Sequence, residues 1–487
     1  MRINTFSKWT LLLLILPLFN NCSKNPVTGR NELSFMSESQ EIAMGKEYNP
    51  TVLATFGVYE DQKLQDFITR KGMEMAKISH RPNLPYQFKV VDSPVVNAFA
   101  VPGGYVYFTR GIMAHFNNEA EFAGVLGHEI GHVTARHGAR QQTSQILGQL
   151  GLIAGLIVSE DLRKYADVAS QSLGLLFLKF SREHEEESDR LGVKYSTKIG
   201  YDAHQMAEFF NTLKRMGESS GQSVPTFLST HPDPGDRRAR VHSMATVEQR
   251  TFPASTFNVN RDQYLRMIDG IVYGDDPKQG FVEKGFFYHP VLKFQFPVPT
   301  GWQYENSPIQ FQMAPKDGKA LMLLTLAEGK TLDEAVSKTT QAYQLKVLES
   351  RRTTINGNPA VEMVSEQAAQ QGQAQTAQNT VRIATFLIQY GGQIYAFHGM
   401  TYLATFNQYF NEFSKVAGGF KTLNDPEKLN RKPERVIIKT VNKTTTLKEA
   451  LQEYNTPAAR MEELAILNGM TLTAQVSKGM LIKTVGK

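Results

Sequence analysis

One stretch, residues 118–140 (NEAEFAGVLGHEIGHVTARHGAR), limits what this chain can fold into more than any other. Asn118, with Glu121 three residues later, has the pattern of a capping box, which marks the start of a helix. The apolar residues that follow recur at spacings of three and four; they are Phe122, Val125, Leu126, Ile130 and Val133. That spacing is typical of a helix with a buried face. The sequence therefore predicts a partly buried helix that begins at Asn118.

This helix contains the motif HEIGH, in which His128 and His132 are four residues apart. Residues at that spacing share one helix face, so both imidazoles can reach the same point, and Glu129 lies beside them. Hydrolytic zinc sites use two neutral nitrogen ligands and a carboxylate near the metal. The motif therefore predicts a zinc site, and the alternative is a buried helix that carries these histidines by chance.

A second stretch, residues 181–192 (SREHEEESDRLG), offers the further ligand that such a site needs. Glu185 and Asp189 are four residues apart, so Glu185 can bind the metal while Asp189 accepts a hydrogen bond from a ligand imidazole. An acidic run of this kind is more often a solvated helix face. We favour the ligand interpretation because an apolar run, residues 173–180, precedes it and the third ligand position is otherwise unfilled.

These motifs, together with residues 230–237 (THPDPGDR), resemble the HtpX and CAAX prenyl endopeptidase family of zinc metallopeptidases. NPVTGR at residues 25–30 and NAFAVPGG at residues 97–104 are similar to the BepA-like branch of periplasmic lipoproteins in that family. The resemblance covers residues 25–237. It implies a zinc peptidase domain that is mainly helical, contains a small sheet and holds one Zn2+ per chain.

The resemblance also implies a role for each matching residue. The implied zinc ligands are His128, His132 and Glu185. Glu129 would be the general base, and Asp189 would accept a hydrogen bond from a ligand imidazole. His231 would approach the metal from a loop and either latch the site shut or stabilise the oxyanion, and Arg237 would steady the developing charge or its neighbours. We favour the latch, because a permanently open protease would damage its neighbours.

Three nearby residues need an interpretation of their own. Ser188 stands where the family usually has alanine, which exchanges one small residue for another. His184 is a spare candidate ligand, but its position next to Glu185 points it away from the zinc face. His137 follows His132 by five residues, which on a helix is also off that face, and we interpret it as structural.

A possible substrate strand precedes the HEIGH motif. Residues 86–92 and 105–109 have the β-branched and aromatic content of strands, and Pro102 with the glycine pair after it predicts a turn between them. An edge strand beside a peptidase site can pair with an extended peptide, and a plain hairpin is the alternative. The candidate substrate-strand residues are Asn97, Gly103, Gly104 and Tyr105.

The start of the chain predicts export and a lipid anchor. Residues 1–21 combine two basic residues with a short apolar run, which is typical of a signal peptide. Cys22, the only cysteine, follows it directly and resembles the lipidated cysteine of bacterial lipoproteins. Ser23 after it is similar to lipoproteins sent to an outer membrane. We expect a protein anchored in the bacterial cell envelope, on the periplasmic face of the outer membrane; an ordinary signal peptide is the alternative.

The charge and hydropathy of the sequence argue against a nucleic-acid-binding protein and against a membrane span at residues 146–158. The formal net charge of +6 in 487 residues is mild, and no basic cluster with interleaved aromatic residues occurs, so we expect no nucleic-acid partner. Residues 146–158 are apolar, but this run of about 13 residues is too short to span a bilayer. We interpret it as a core or substrate-groove helix.

The second half of the chain changes to short strands, with helices at residues 332–346 and 406–418. We predict an α+β domain around a mainly antiparallel sheet, whose opening at residues 294–302 faintly resembles PsbP-like folds. Residues 367–380 are rich in Gln and Ala and predict an exposed loop. The last segment has the order strand, helix, helix, strand, and resembles LysM, a peptidoglycan-binding module. A small interaction domain without glycan affinity is the alternative.

The fold class that follows is α+β, with a mainly helical peptidase domain, an α+β accessory domain and a small βααβ module. The predicted boundaries are 1–21 signal peptide, 22–35 leader, 36–269 peptidase, 270–423 accessory domain, 424–434 linker and 435–487 LysM-like module.

We expect a zinc endopeptidase that acts on misfolded or assembling envelope proteins. Its expected partners are protein or peptide substrates, the membrane through the lipid anchor and, as a further candidate, peptidoglycan. The alternatives are a chaperone-like assembly factor that keeps the metal site only for structure, and a peptidoglycan-associated scaffold that rests on the last segment alone.

Overall fold

The computed structural model describes residues 22–33, 36–146, 180–219, 227, 230–231, 236–252, 257–367, 376–377 and 380–487. The predicted signal peptide, the apolar run after residue 146 and most of the Gln- and Ala-rich loop lie outside these residues. Among the described helices, none combines the length and the apolar character that a bilayer crossing requires.

The N-terminal half is mainly helical. Its helices are α1 (Glu38–Phe56), α2 (Gln62–Lys77), α3 (Arg110–His115), α4 (Glu119–Thr134), α5 (His137–Ile146), α6 (Arg182–Lys198), α7 (His204–Ser219), α8 (Arg237–Gln249) and α9 (Arg261–Met267). Its strands are β1 (Cys22–Lys24), β2 (Asn31–Leu33), β3 (Gln87–Val91), β4 (Ala98–Val101) and β5 (Tyr105–Thr109). Strands β1 and β2 form a ribbon, while β3, β5 and β4 form a three-stranded sheet in that order.

The core of this half forms around α4, which we call the HEIGH helix. The Asn118 side chain accepts a hydrogen bond from the backbone N–H of Glu121, and this confirms the predicted start of the helix. All 16 residues of the helix are buried. Phe122 packs in an aromatic cluster with Phe67, Phe108 and Phe116. Because protein surrounds the helix on every side, its polar side chains are held in fixed positions.

The second half is built on a seven-stranded antiparallel sheet, as predicted. Its strands, in spatial order, are β10 (Trp302–Asn306), β11 (Gln310–Pro315), β12 (Ala320–Leu326), β16 (Gln393–Tyr402), β15 (Val381–Tyr390), β14 (Asn358–Gln367) and β13 (Leu345–Ile355). A smaller sheet has the order β17 (Lys421–Thr422), β9 (Phe294–Pro297), β8 (Phe286–His289) and β7 (Phe281–Glu283). Helices α10 (Leu332–Ala342) and α11 (Phe406–Gly418) flank these sheets.

One helix boundary in this half was predicted wrongly. The expected helix at residues 332–346 ends at Ala342, because Gln344 adopts a left-handed conformation with a φ of 51°. The chain then enters strand β13 at Leu345, which pairs with β14. The sheet ladder therefore outcompetes the helical propensity of the last residues of the predicted helix.

The C-terminal segment shows the predicted order of strand, helix, helix and strand. Its elements are β18 (Glu434–Thr440), β19 (Thr445–Thr446), α13 (Leu447–Glu453), α14 (Met461–Leu467), β20 (Gln475–Val476) and β21 (Leu481–Gly486). Before it, a single turn of helix, α12 (Pro426–Leu429), interrupts the predicted linker. Strand β18 pairs with β21 on one side and with β6 (Val272–Tyr273) on the other, so the C-terminal segment completes a three-stranded sheet with residues that follow α9.

A buried lysine fastens this C-terminal segment to the residues just before the HEIGH helix. The Lys483 ammonium donates to the backbone carbonyls of Ala114, His115 and Phe116 at 2.9, 3.3 and 3.0 Å. These carbonyls lie at the end of α3, where a helix leaves its last acceptors unpaired. The lysine is fully buried and supplies the missing donors, so the C-terminal segment supports the entry of the HEIGH helix.

Candidate metal centre

The HEIGH helix packs closely against α6, which we call the acidic helix, because glycines face each other at the contact. A Cβ added at Gly127 would lie 2.9 Å from the carbonyl oxygen of Gly192, and one at Gly192 would lie 3.1 Å from the backbone nitrogen of His128. Any larger side chain would push the two backbones apart. This close approach lets short side chains from the two helices meet at one point.

The acidic helix is not a solvated face at its critical positions. Ser181 caps its first turn by accepting from the backbone N–H of His184. Glu185 and Asp189 are fully buried. Glu183, which precedes them, and Glu186, which lies between them, are exposed. The helix therefore turns one pair of carboxylates towards the HEIGH motif, as the ligand interpretation predicted.

Four buried residues bring their potential ligand atoms together, with all of these atoms within 4.8 Å of one another; the residues are His128, His132, Glu185 and His231. The Nε2 atoms of His128 and His132 are 3.0 Å apart, and Nδ1 of His231 is 3.3 Å from the first of them. A Glu185 oxygen lies 3.0 Å from His231 Nδ1 and 3.5 Å from His132 Nε2.

These separations match a tetrahedral metal site. Ligand atoms placed tetrahedrally at about 2.0–2.1 Å from a zinc ion are roughly 3.3–3.4 Å apart. Two imidazole nitrogens that face each other at 3.0 Å, together with a carboxylate, also form the donor set that zinc prefers. The residues present therefore fit a zinc ion, with His231 at the fourth corner.

Electrostatics keep the imidazoles able to bind a cation. Burial lowers the pKa of His128 and holds the pKa of His132 well below its usual range, so both side chains are neutral near pH 7. Burial alone would raise the pKa of Glu185, but His231 and Arg237, which lie 3.0 and 3.2 Å from its oxygens, hold it below its usual value. Burial alone would lower the pKa of His231, but Glu185 and Glu129 raise it, so the neutral nitrogens of the site are those of His128 and His132.

Glu129 lies beside these atoms without being one of them. Its side chain is buried, and its Oε1 atom has no hydrogen-bond partner among the described residues, with His231 Nε2 3.7 Å away. In the metal-free chain, burial raises the pKa of Glu129 to about 7. A carboxyl group with that pKa can take up and release a proton near neutral pH, which suits the predicted general base.

Asp189 takes the position that the sequence predicted for it. One of its oxygens, Oδ1, lies 3.0 Å from Nδ1 of His128 and accepts its hydrogen bond, which leaves Nε2 free for a metal. Burial alone would raise the pKa of Asp189, but Arg237 and His128 hold it well below its usual value. Asp189 therefore orients one of the two HEIGH imidazoles.

Arg237 lies behind the metal ligands. Its guanidinium donates to Asp189 at 2.6 and 2.9 Å, lies 3.2 Å from a Glu185 oxygen and stacks on Phe210 at 4.0 Å. Of the two expected roles, these contacts favour the second, in which Arg237 steadies its neighbours.

His231 is the fourth member of this group, and its Nδ1 atom faces the two HEIGH imidazoles and Glu185. Its backbone N–H donates to the carbonyl of Phe227 at 2.8 Å, and the Phe227 ring stacks on the imidazole at 4.5 Å. The backbone N–H of Phe227 donates in turn to the carbonyl of Val96, next to the start of β4. In this arrangement the imidazole takes the corner of the tetrahedron where a water would otherwise bind.

The substrate-strand residues are only partly where we expected them. Strand β4 is the edge of its sheet and packs on the HEIGH helix, whereas Tyr105 begins β5 in the centre of the sheet. The expectation that Tyr105 lies on the edge strand is therefore wrong. Gly103 and Gly104 form the connecting turn with φ values of 87° and 100°, and Asn97 immediately precedes β4.

The sequence interpretation missed one pair of residues. His137 was interpreted as structural, yet its Nδ1 lies 2.9 Å from Nδ1 of His132, and its Nε2 lies 3.2 Å from a Glu187 oxygen. The interpretation assumed continuous helical geometry. The HEIGH helix ends at Thr134, and Arg136, with a φ of 59°, turns the chain so that the next helix begins at His137.

Residues 62–245, which contain all of this site, match peptidase family M48. Members of this family are metal-dependent, so the match supports a metallopeptidase. The match agrees with the prediction of a metallopeptidase. The assignment to the HtpX and CAAX prenyl endopeptidase family stays a prediction.

Two curated relatives share the same region. The chain is 34% identical over 191 residues to the mitochondrial metalloendopeptidase OMA1 of Arabidopsis thaliana, a match that covers 39% of this chain and 38% of the relative. It is 28% identical over 236 residues to the beta-barrel assembly-enhancing protease of Escherichia coli, covering 45% of this chain and 47% of the relative. The chain thus spans less than half the length of these relatives.

A smaller part of this chain is similar to a solved structure. The solution structure of cyanobacterial PsbP (CyanoP) from Synechocystis covers 28% of this chain and 91% of that protein, at 11% identity and a TM-score of 0.23. A similarity this weak does not establish the fold of the accessory domain.

We expect the wild-type chain to bind one zinc ion, and alanine at His128, His132 or Glu185 to reduce bound zinc well below one per chain, because each supplies one corner of the site. Metal analysis of purified variants checks this, with the exposed Glu183→Ala as the matched control. Full zinc occupancy in Glu185→Ala would contradict its assignment as a ligand.

Proposed function

We propose that this chain is a zinc-dependent endopeptidase. The observation that carries the proposal is the convergence of four buried ligand atoms beside the buried Glu129 carboxylate, whose Oε1 atom accepts no hydrogen bond among the described residues. Zinc held there would polarise a peptide carbonyl and lower the pKa of a coordinated water towards about 7.

The residues of the chain supply the remaining parts of the mechanism. Glu129 takes up a proton from the attacking water and returns it to the leaving amine, since its pKa is close to neutrality. Asp189 holds the His128 ring in the tautomer that binds metal. Among the described residues, no strand pairs with the outer edge of β4, so an extended peptide can add there as a further strand.

Envelope proteins are the proposed substrates. The support is the lipoprotein-like start of the sequence together with the similarity to a protease named for enhancing beta-barrel assembly. The anchor we propose is a lipid on Cys22. The C-terminal segment has the strand and helix order of a LysM module, and a peptidoglycan contact through it is part of the same proposal.

A chaperone-like assembly factor that keeps the metal only for structure is the second candidate. Such a site needs ligands but has no use for a general base. Glu129 is buried at an energetic cost and has a raised pKa, which favours catalysis over a purely structural site.

We expect the wild-type protein to cleave casein in a zinc-dependent manner and Glu129→Gln to lose about 10²–10⁴-fold in turnover while keeping its zinc. Glu183→Gln, an exposed carboxylate on the acidic helix, is the control and should retain activity. Equal activity of Glu129→Gln and wild type would exclude Glu129 as the base, and inactivity of both the zinc-loaded wild type and His231→Ala would favour the assembly factor.

We expect His231→Ala to be more active and less selective than wild type, because the imidazole at the fourth corner would no longer exclude water. Casein cleavage and self-cleavage measure this, with the exposed His242→Ala as control. A loss of about 2.7–4 kcal/mol in transition-state stabilisation, with zinc content unchanged, would instead make His231 an oxyanion donor.

We expect Cys22→Ala to move the protein from the membrane fraction to the soluble fraction, because the lipid on this residue is the proposed anchor. Fractionation of cells that express each form checks this. Continued tight association of Cys22→Ala with membranes would contradict a lipid anchor at this residue.

A further inference from the structure

We propose that His137 and Glu187 form a positioning pair that fixes the tautomer and orientation of the zinc ligand His132. This inference rests on the proposed zinc site. His132 Nδ1 lies 2.9 Å from His137 Nδ1, and His137 Nε2 lies 3.2 Å from Glu187 Oε2. The three side chains therefore form a continuous relay from the acidic helix to the back of the ligand imidazole.

When a metal is bound, hydrogen bonds can be donated along this relay in only one direction. A His132 ring that binds metal through Nε2 carries its proton on Nδ1 and must donate it. The acceptor is His137 Nδ1, so His137 carries its own proton on Nε2. That second proton points at the Glu187 carboxylate, which can only accept.

The reverse direction is incompatible with a ligand. If His137 donated through Nδ1, His132 Nδ1 would accept and the proton of His132 would stand on Nε2, where the metal must bind. A hydrogen-bond acceptor beside His137 Nε2 excludes this arrangement, because it keeps the proton of His137 on Nε2. Glu187 is that acceptor, which gives a residue outside the ligand set a direct effect on metal binding.

The surroundings hold the pair in place. The guanidinium groups of Arg140 and Arg190 lie 3.6 and 3.4 Å from oxygens of Glu187, and they favour its ionised form. The His184 ring stacks on the His137 ring with centroids 4.2 Å apart and planes 19° from parallel. The hydroxyl of Ser188 lies further from His137 Nδ1, at 3.3 Å, than His132 Nδ1 does at 2.9 Å, so the single lone pair of that nitrogen goes to His132.

Each HEIGH imidazole therefore has its own acceptor on the acidic helix. Asp189 accepts directly from His128, while Glu187 acts on His132 through His137. Burial makes the second arrangement necessary, because His132 is only 3% exposed and His137 is fully buried. Without His137, the Nδ1 proton of His132 would be buried with no acceptor.

The test measures zinc affinity by chelator competition, together with thermal unfolding of the metal-free protein. His137→Phe keeps the ring but removes the acceptor, and Glu187→Leu removes the acceptor at the end of the relay. Glu187→Gln keeps an acceptor oxygen of similar size. Glu183→Gln, an exposed carboxylate on the same helix, is the matched control.

We expect His137→Phe and Glu187→Leu to bind zinc about 10–100-fold more weakly than wild type. We expect Glu187→Gln to recover most of that loss, and Glu183→Gln to match wild type. Nitrogen-15 spectra of labelled histidine in the zinc-loaded wild type should show the His132 proton on Nδ1 and the His137 proton on Nε2.

Zinc affinities of His137→Phe and Glu187→Leu within twofold of wild type would overturn the inference, whatever the unfolding temperatures of these variants. A merely structural role would lower the unfolding temperature and leave the zinc affinity unchanged. A His137 proton on Nδ1 in the zinc-loaded wild type would also overturn it. Failure of the wild type itself to bind zinc would be a different result, since it would remove the proposed metal site.

Discussion

The close contact between the HEIGH helix and the acidic helix is the constraint on which the rest of the structure depends. Gly127 and Gly192 have no side chains, so the two backbones approach until His128, His132 and Glu185 share one point. Burying charged and polar groups there is costly unless they are paired or coordinate a metal. On one side of this point, the Arg237 guanidinium pairs with the carboxylates of Asp189 and Glu185. The cation site lies on the other side.

Distant parts of the chain hold the two helices in this position. Lys483, in the last strand, satisfies the carbonyls that precede the HEIGH helix, and Arg261 donates to the carbonyl of Leu481 at 2.8 Å. At the other end of the helix, Arg81 donates to the carbonyl of Val133 at 3.0 Å and to Glu41 at 2.8 Å. Both ends of the HEIGH helix are thus tied to other elements of the fold.

Sequence patterns predicted the site better than its surroundings. The four-residue spacings of His128 with His132, and of Glu185 with Asp189, define helix faces directly, and the structure places them as predicted. The position of His137 beside His132 was not predicted, because the turn at Arg136 depends on a left-handed backbone that no periodicity reveals. Strand β13 begins at Leu345, inside the helix predicted over residues 332–346. Strand β13 is mostly exposed, so it lacks the hydrophobic alternation by which strands are recognised.

X-ray absorption spectroscopy at the zinc edge of the zinc-loaded resting protein would identify the atoms that bind the metal. We expect only nitrogen and oxygen neighbours at about 2.0–2.1 Å, with the multiple-scattering signal of three imidazoles, from His128, His132 and His231. A sulfur neighbour would contradict this expectation, because Cys22 is the only cysteine and has no place in this site. Six oxygen neighbours without an imidazole signal would contradict it equally.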